Sequence, residues 1–343
     1  MVVDGRYAPT IGGGKGWDRR RRRRLPLWII VVLWVIVAGL LVAVAMRIFA
    51  WDRFELFTIV NDLTLFVYLP AWIVAVVALV GRRFVLAGAA LVVVVAQVVL
   101  VLPEWTAAQP VPGWAADAPT IRLFDANVYY ENSSMSGYAS EIKQYHPQLV
   151  TMEEAVPPLV RELRSDGGLA GLPNTVQIKR FDPFAFLIAS KYPLTDSHLV
   201  TLHGLPLVVQ TTIQLPSGPQ ALWVVHTIAP VNGAFSYWKA QLAGIDRLVR
   251  ARGPAGLLLV GDFNATWGSK GFRTILDAGM ADGAAARGHP LEMTWSQIEP
   301  PLPPFVRIDH VLTGPGLAVT QISTGSGPGS DHRDVRATVA VHQ

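Results

Sequence analysis

The stretch whose reading decides the fold is LLLVGDFNATWGS, residues 257–269. Four apolar residues run straight into Gly-Asp-Phe-Asn. A short apolar run stopped by glycine reads as a buried strand. Successive strand residues point to opposite faces, so Asp262 and Asn264 are expected to point the same way. They would set an anionic acceptor beside a neutral donor at the rim of a sheet. Asp and Asn are also favoured in turns, where they bond to nearby backbone. GDFN alone therefore leaves a turn and a site equally open, and the rest of the chain has to decide.

Working outward, the same pattern recurs. From Thr120 onward the chain alternates short apolar runs with helical stretches. TIRLFDANV, PQLVTMEEA, FAFLIAS, LVVQTTIQL, ALWVVHTIA, RIDHVLT and RATVAVH join LLLVGDFN as expected strands. Helical periodicity fits residues 136–145, 157–166, 236–252 and 270–278. There is no internal repeat. Some 220 residues bury a core without staples, and the alternation implies an α/β domain with mixed sheets. Polar residues end the runs: Asn127, then Glu153 and Glu154, His226, Asp262 with Asn264, Asp309 with His310, and Asp331 with His332. One such ending is a turn, but six in one domain imply a gathered site. The chain has no Cys, so disulfides and thiolate chemistry are excluded. No close His pair suggests a zinc cage. Hard oxygen donors point instead to Mg²⁺ or Mn²⁺.

Hydrophobic content of 51% against 16% charged places part of the chain in lipid. Charge divides unevenly. Residues 1–102 hold 12 Lys+Arg and 5 Asp+Glu, whereas residues 103–343 hold 17 and 20. The second part is net acidic, without the global basic field that drives nucleic-acid binding. Residues 25–46 carry no charge and are long enough to span a bilayer. The arginine run 19–24 before them implies a cytoplasmic N-terminus. Residues 63–80 form a second expected span, with Pro70 as an expected kink and Asn61-Asp62 as a polar start. Residues 84–102 form the third, after Arg82 and Arg83. Three crossings put the C-terminal domain outside the cell. The first run is too long for a cleaved signal peptide. GGGKG, residues 12–16, has no preceding strand and no Ser or Thr after Lys15, so it reads as tail. The expected organisation is a basic tail 1–24, three membrane helices 25–102, a linker 103–119 and a catalytic domain 120–343. Trp105 and Trp114 are expected in the membrane interface.

In order, ANV, PQLVTMEEA, LIASKYP, VVHT, VGDFNAT, MTW, RIDHVL and GSDHRDV resemble the endonuclease/exonuclease/phosphatase superfamily. The resemblance covers about residues 120–340. With membrane spans in front, the layout resembles VanJ-type teicoplanin-resistance membrane proteins. The superfamily implies a four-layer α/β sandwich, two packed mixed sheets flanked by helices, with its site at one rim. It also implies roles. Glu154 falls on a metal-binding Glu, and Glu153 takes the usual Gln place. Asn127 supports metal and phosphate, and Asp331 lies near the metal. Asp262 orients or deprotonates the attacking water, and Asn264 donates to the phosphoryl oxygens. His226 and His332 stabilise phosphate, and Asp309 orients and charges His332. Two departures stand out: Tyr129 where some family nucleases have an acid, and Val225 where Thr is common. His310 is expected to be a neighbour rather than a catalyst. His146, His198, His203 and His289 have no motif around them. Asn132 and Asn264 both head glycosylation sequons, and for Asn264 the catalytic role takes precedence.

The expected activity is metal-dependent phosphohydrolysis at the membrane. The first candidate substrate is a lipid-linked phosphate or pyrophosphate such as undecaprenyl pyrophosphate, in keeping with recycling of a cell-wall lipid carrier. Phe235, Tyr237 and Trp238, and the IEPPLPPF segment 298–305, are expected to face a bilayer or acyl chain or else to be packing. The alternatives are a tethered extracellular nuclease, a phospholipid phosphodiesterase, and a binding protein that has lost catalysis. The net negative domain speaks against nucleic acid as partner, and the complete polar set against lost catalysis.

Overall fold

The computed structural model describes residues 25–297 and 303–342. The arginine run 19–24, the glycine stretch 12–16 and most of the 298–305 segment lie outside the described residues. The chain starts with α1 (Leu27–Phe49), α2 (Glu55–Asp62), α3 (Thr64–Val67), α4 (Leu69–Val80) and α5 (Phe84–Trp105). Of these, α1 and α5 are each long and apolar enough to cross a membrane, and the bent pair 55–62 and 64–80 makes up to a third. The pair turns through 77°. The kink expected at Pro70 lies elsewhere: the bend falls at Leu63, and Pro70 sits in the first turn of α4. There its missing N–H sacrifices no helix bond. The helices meet through small residues such as Ala75, Ala78, Ala87 and Ala90, which allow close backbone approach. Val35, Val76, Val80 and Val95 point outward and are exposed.

The rest of the chain runs β1 (Thr120–Asn127), α6 (Ser136–Tyr145), β2 (Leu149–Glu153), α7 (Pro157–Ser165), β3 (Asn174–Ile178), β4 (Phe186–Ser190), β5 (Leu194–Leu202), β6 (Leu205–Leu215), β7 (Gly218–His226), α8 (Phe235–Arg252), β8 (Leu257–Asp262), α9 (Lys270–Asp277), β9 (Ala281–Asp282), α10 (Gly283–Ala286), β10 (Asp309–Thr313), β11 (Leu317–Thr324) and β12 (Val335–Val341). Two six-stranded sheets form, ordered β11-β12-β1-β2-β4-β3 and β5-β6-β7-β8-β10-β9. Both are mixed: β1–β2 and β7–β8 are parallel, and β8–β10 antiparallel. The two inner faces meet in one core that includes Leu123, Leu149, Val224, Leu258, Val260 and Val311. On the outer faces α6 and α7 cover the first sheet, and α8 and α9 the second. This is the expected four-layer sandwich.

Three local expectations change. Trp238 is fully buried in the outer core and stacks with Phe235, so this pair packs a helix and only Tyr237 is exposed. Trp114 sits edge-on against His342, and its neighbour Ala115 packs on Ala318 and Ala340. The linker thus docks on the β11–β12 edge through Trp114 and Ala115. The Asn132 amide is buried and donates to the carbonyls of Val128 and Pro328, so its sequon offers no acceptor. Strands β3, β5, β9 and β11 were not expected. They lie at or beside the sheet edges, where the apolar signal is weakest.

Candidate active site

The polar residues continue the inward-facing rows of the core strands. On β1, Ile121 and Leu123 face the inter-sheet core, so with a period of two Asp125 and Asn127 follow them. On β7, Leu222 and Val224 lead to His226; on β8, Leu258 and Val260 lead to Asp262; on β10, Asp309 precedes Val311. Register then sets these ends side by side. Asn127 pairs with Glu153, His226 with Asp262, and Asp262 with Asp309. Asp309 begins its strand rather than ending one, but β10 is antiparallel to β8, so both reach the same rim.

Asp262 and Asn264 do face one site, though not by strand alternation. The strand ends at Asp262, and Asn264 takes a left-handed φ of 45°. Its N–H donates to Asp262 Oδ1 at 2.7 Å, and its Nδ2 donates to Asp262 Oδ2 at 3.2 Å and Thr227 O at 2.8 Å. GDFN is a turn and a site at once. Glu154 also has a left-handed φ, 59°. This swings its carboxylate to the rim, where Asn127 Nδ2 and Tyr130 N each donate to one oxygen at 3.0 Å. Non-glycine residues in such conformations persist where surrounding contacts hold them, commonly at functional sites.

His332 joins from the loop before β12. Its Nδ1 lies 2.9 Å from Asp309 Oδ2, and its Nε2 lies 3.8 Å from Asp262 Oδ2 and 4.0 Å from Asp331 Oδ1. Burial opposes its charge, but the carboxylates of Asp309 and Asp262 outweigh burial and raise His332 to about 10. His332 is therefore an imidazolium at neutral pH. Burial likewise opposes the charge on Asp309, yet His332 holds it below the usual carboxylate range. Burial, then the nearby Asp309 charge, pushes Asp262 up to about 6. His226 donates from Nδ1 to Pro183 O at 2.9 Å, which leaves Nε2 facing Glu154 and Asp262, each at 3.7 Å. Burial lowers its pKa.

A cavity of about 500 Å³ opens over these groups, lined by Glu154, His226, Asp262, Asn264, Asp331 and His332 on its polar side. Phe184, Ile228, Val231 and Trp295 line the rest, and among the described residues no Lys or Arg does. Glu154 and Asp331 present hard carboxylate oxygens to it. Trp295 Nε1 donates to Asp331 Oδ2 at 3.0 Å and leaves the other oxygen open. Asn127 offers its amide N–H₂ to Glu154 and Asp262, while its oxygen takes Tyr129 N, which makes it an orienting donor. Asp262, Asp309 and His332 also bring ligand atoms within 4.8 Å of one another. Glu154 and Asp331 add carboxylate oxygens on the same cavity, donors of the kind a divalent cation takes.

Beneath the rim lies a group that sequence reasoning left aside. Glu153 is fully buried with neither oxygen hydrogen-bonded. Burial, then the neighbouring Asp125, pushes its pKa well above the usual carboxylate range. Ser330 was also missed. It donates to Asn127 O at 2.8 Å and accepts from His332 N at 3.0 Å, tying both sides of the rim together.

The architecture is shared with solved structures. Truncated TDP2 from Caenorhabditis elegans is 16% identical with a TM-score of 0.53, covering 65% of this chain and 98% of its own. TDP2 from D. rerio, complexed with single-strand DNA product, is 17% identical with a TM-score of 0.52, covering 65% and 99%. An endonuclease/exonuclease/phosphatase family protein from Bacteroides thetaiotaomicron is 14% identical with a TM-score of 0.51, covering 66% and 100%. Among curated proteins none matches the chain. At these identities the likeness shows the fold alone. The family model for endonuclease/exonuclease/phosphatase proteins matches residues 126–332, from the end of β1 to His332, which is more than half of the chain. On that match, the chain belongs to the endonuclease/exonuclease/phosphatase family.

Proposed function

We propose that this protein is a membrane-held, divalent-metal-dependent phosphohydrolase acting on a lipid-linked phosphate or pyrophosphate. Members of the family hydrolyse phosphate esters, generally with a divalent metal. The observation that carries the lipid reading is the distance along the chain from site to helices. Asn264 lines the cavity, and two residues later the Thr266 hydroxyl bonds to Asp62 at the end of α2, at 2.8 Å. A bilayer-borne substrate is thus within reach of the site. The half-apolar wall without Lys or Arg suits a lipid phosphate better than a nucleic-acid backbone.

Topology supports an outward-facing site. Leu25, next to the arginine run, lies near Gly81 beside Arg82 and Arg83. Phe49, Asp62 and Trp105 stand at the opposite helix ends, where the domain is attached. Keeping the basic end cytoplasmic leaves the domain outside.

In the proposed reaction, water adds to phosphorus as the bond to the leaving oxygen breaks. Asp262 orients that water and takes its proton. The His332 imidazolium stands beside the phosphoryl oxygens and stabilises the charge that builds there, while Asn264, whose Nδ2 is held by Thr227 O and Asp262, orients Asp262. Asp309 keeps His332 charged and turned toward the site. His226, oriented by Pro183 O, presents Nε2 to the same space. A divalent cation held by Glu154 and Asp331, with Asn127 orienting Glu154, would supply Lewis acidity.

The test is phosphate release from undecaprenyl pyrophosphate by the full chain in detergent with Mg²⁺ or Mn²⁺, beside plasmid nicking. Asp262→Ala and EDTA are controls. Release abolished by both controls, without nicking, supports the reading. Nicking without release makes the protein a tethered nuclease and overturns it.

A further inference from the structure

Asn61 and Asp62 open the second apolar run, where a membrane segment gains nothing from an amide and a carboxylate, and the proposed chemistry uses neither. Both have partners outside their helix. Asp62 Oδ1 accepts from Thr266 Oγ1 at 2.8 Å and Ser269 Oγ at 2.6 Å. Asn61 Nδ2 donates to Asp52 Oδ1 at 2.8 Å, and the other Asp52 oxygen accepts Lys270 N–H. The Arg47 guanidinium and the Trp51 indole both donate to Gly268 O. Gly268 itself has to be bare, because a Cβ there would collide with the Asn61 carbonyl.

Apart from the Asn61–Asp52 link, these bonds land on residues 266–270, which begin two positions after Asn264. Residues 263–269 lie between the end of β8 and the start of α9. They have no ladder of their own, so their polar groups need partners from elsewhere. A second arm reaches the same site from α5. Glu104 pairs with Arg307, which also holds both oxygens of Asp282, at 2.8 and 2.6 Å. Asp282 Oδ2 lies 3.1 Å from His310 Nδ1, and His310 Nε2 donates to Ala265 O at 3.0 Å. Arg307 stands two residues before Asp309, and Ala265 one after Asn264. Two arms from separate helices therefore brace the segments that carry Asn264 and Asp309.

An anchor needs only an apolar surface. Buried polar links carry a desolvation cost, and here they are concentrated on the segments next to Asn264 and Asp309. The geometry points to a second role for the apolar helices as part of the active-site scaffold, with Asp62 and Glu104 as positioning residues that act through Thr266–Ser269 and Arg307. This inference rests on the phosphohydrolase reading for its kinetic consequence and on the bonds alone for its structural one.

The experiment compares the full chain in lipid nanodiscs with Asp62→Ala, Asp62→Asn, Glu104→Gln and Thr266→Val. It measures kcat and KM for phosphate release and hydrogen exchange of the backbone amides. Asp62→Asn keeps an oxygen acceptor for both hydroxyls and serves as the rescue. Thr266→Val removes one link from the domain side should the helix variants fail to fold. Misplacement of reacting groups by a fraction of an ångström predicts a kcat loss of about 10-fold or more for Asp62→Ala and Thr266→Val, with KM within about two-fold. Asp62→Asn should recover most of it. Exchange should quicken at 263–270 and stay unchanged in β1 and β2. Unchanged kcat, or a lower kcat with unchanged exchange at 263–270, overturns the scaffold role and leaves the helices as an anchor. If the native chain releases no phosphate from any substrate, the functional reading fails. The exchange result then decides the scaffold alone: faster exchange confined to 263–270 upholds it, and unaltered exchange overturns it.

Discussion

Replacing Asp309 with Asn probes the proposed electrostatics with little change of shape. The carboxylate oxygen 2.9 Å from His332 Nδ1 becomes an amide oxygen, so a hydrogen bond survives while a charge disappears. Two losses follow. First, His332 falls from about 10 toward its ordinary 6.5. A histidine titrating at 6.5 is only about one-tenth protonated at pH 7.5, a loss of about ten-fold in the active form. Asp262 at 3.8 Å still favours the imidazolium while burial opposes it, so about ten-fold is the central figure for population. Second, a hydrogen bond between charged partners exceeds the net worth of a neutral one. Its typical 1.5–3 kcal/mol against roughly 0.5–1.5 for the surviving neutral bond leaves about 1–1.5 kcal/mol, a further factor of roughly 5–13. Asp309→Asn should therefore lower kcat by about 10²-fold at pH 7.5. The assay is a pH–rate profile of phosphate release. In the native protein activity should rise as Asp262 loses its proton near 6 and fall as His332 loses its own near 10. In the variant the alkaline limb should move down by several units. A variant within two-fold of native, with that limb still near 10, would refute the role given to Asp309 and His332.

Further outcomes follow from the same geometry. Glu154→Gln keeps the bond from Asn127 but removes the charge, so Mn²⁺ affinity by calorimetry should fall at least about ten-fold; equal affinity would move the cation elsewhere, with the Asp262–Asp309–His332 group the next place to look. His332 has a folded pKa above its unfolded value, so the stability it adds is fully present below about 6.5 and is lost as pH rises through about 10. Denaturant midpoints of native protein and Asp309→Asn should therefore differ at pH 6 and converge near pH 10. Gly261 has φ 122°, and a Cβ there would collide with Val225 O and stand 2.7 Å from Glu153 Oε1. Gly261→Ala should lower the thermal midpoint and abolish activity, and a native-like variant would show that the backbone before Asp262 is less constrained than argued. Leu258→Ala empties a fully buried position between the sheets and should cost about 2–5 kcal/mol in chemical denaturation.

Much of the fold was legible from the sequence because its signals are local. Apolar runs of strand length bounded by turn residues set β1, β2, β4, β6, β7, β8, β10 and β12. Their ordered polar endings were specific enough to suggest the family before any coordinates. Edge strands such as β5 and β11 escaped because one face is open to water and their patterns are weak. The same local logic picked Glu154, His226, Asp262, Asn264 and Asp309 at or beside strand ends, and His332 in the loop before β12.

Tertiary structure alone decided how those residues act. No spacing reveals that Asn264 turns back on Asp262 through a left-handed backbone, or that Ser330 ties Asn127 to His332. Nor does it reveal that the Glu153 pKa is raised, since that depends on burial beside Asp125, which is 28 residues away in sequence. Asn61 and Asp62 make the plainest case. In the sequence they are a flaw in an apolar run. In the fold Asn61 bonds to Asp52 and Asp62 bonds to residues some 200 positions later, because a buried polar group must find its partner wherever the packed chain provides one. Sequence determined the strands, the helices and the kinds of groups gathered at the rim. Register, burial and long-range hydrogen bonds set their charges, their directions and the connection to the apolar helices, because each depends on neighbours that only the packed chain brings together.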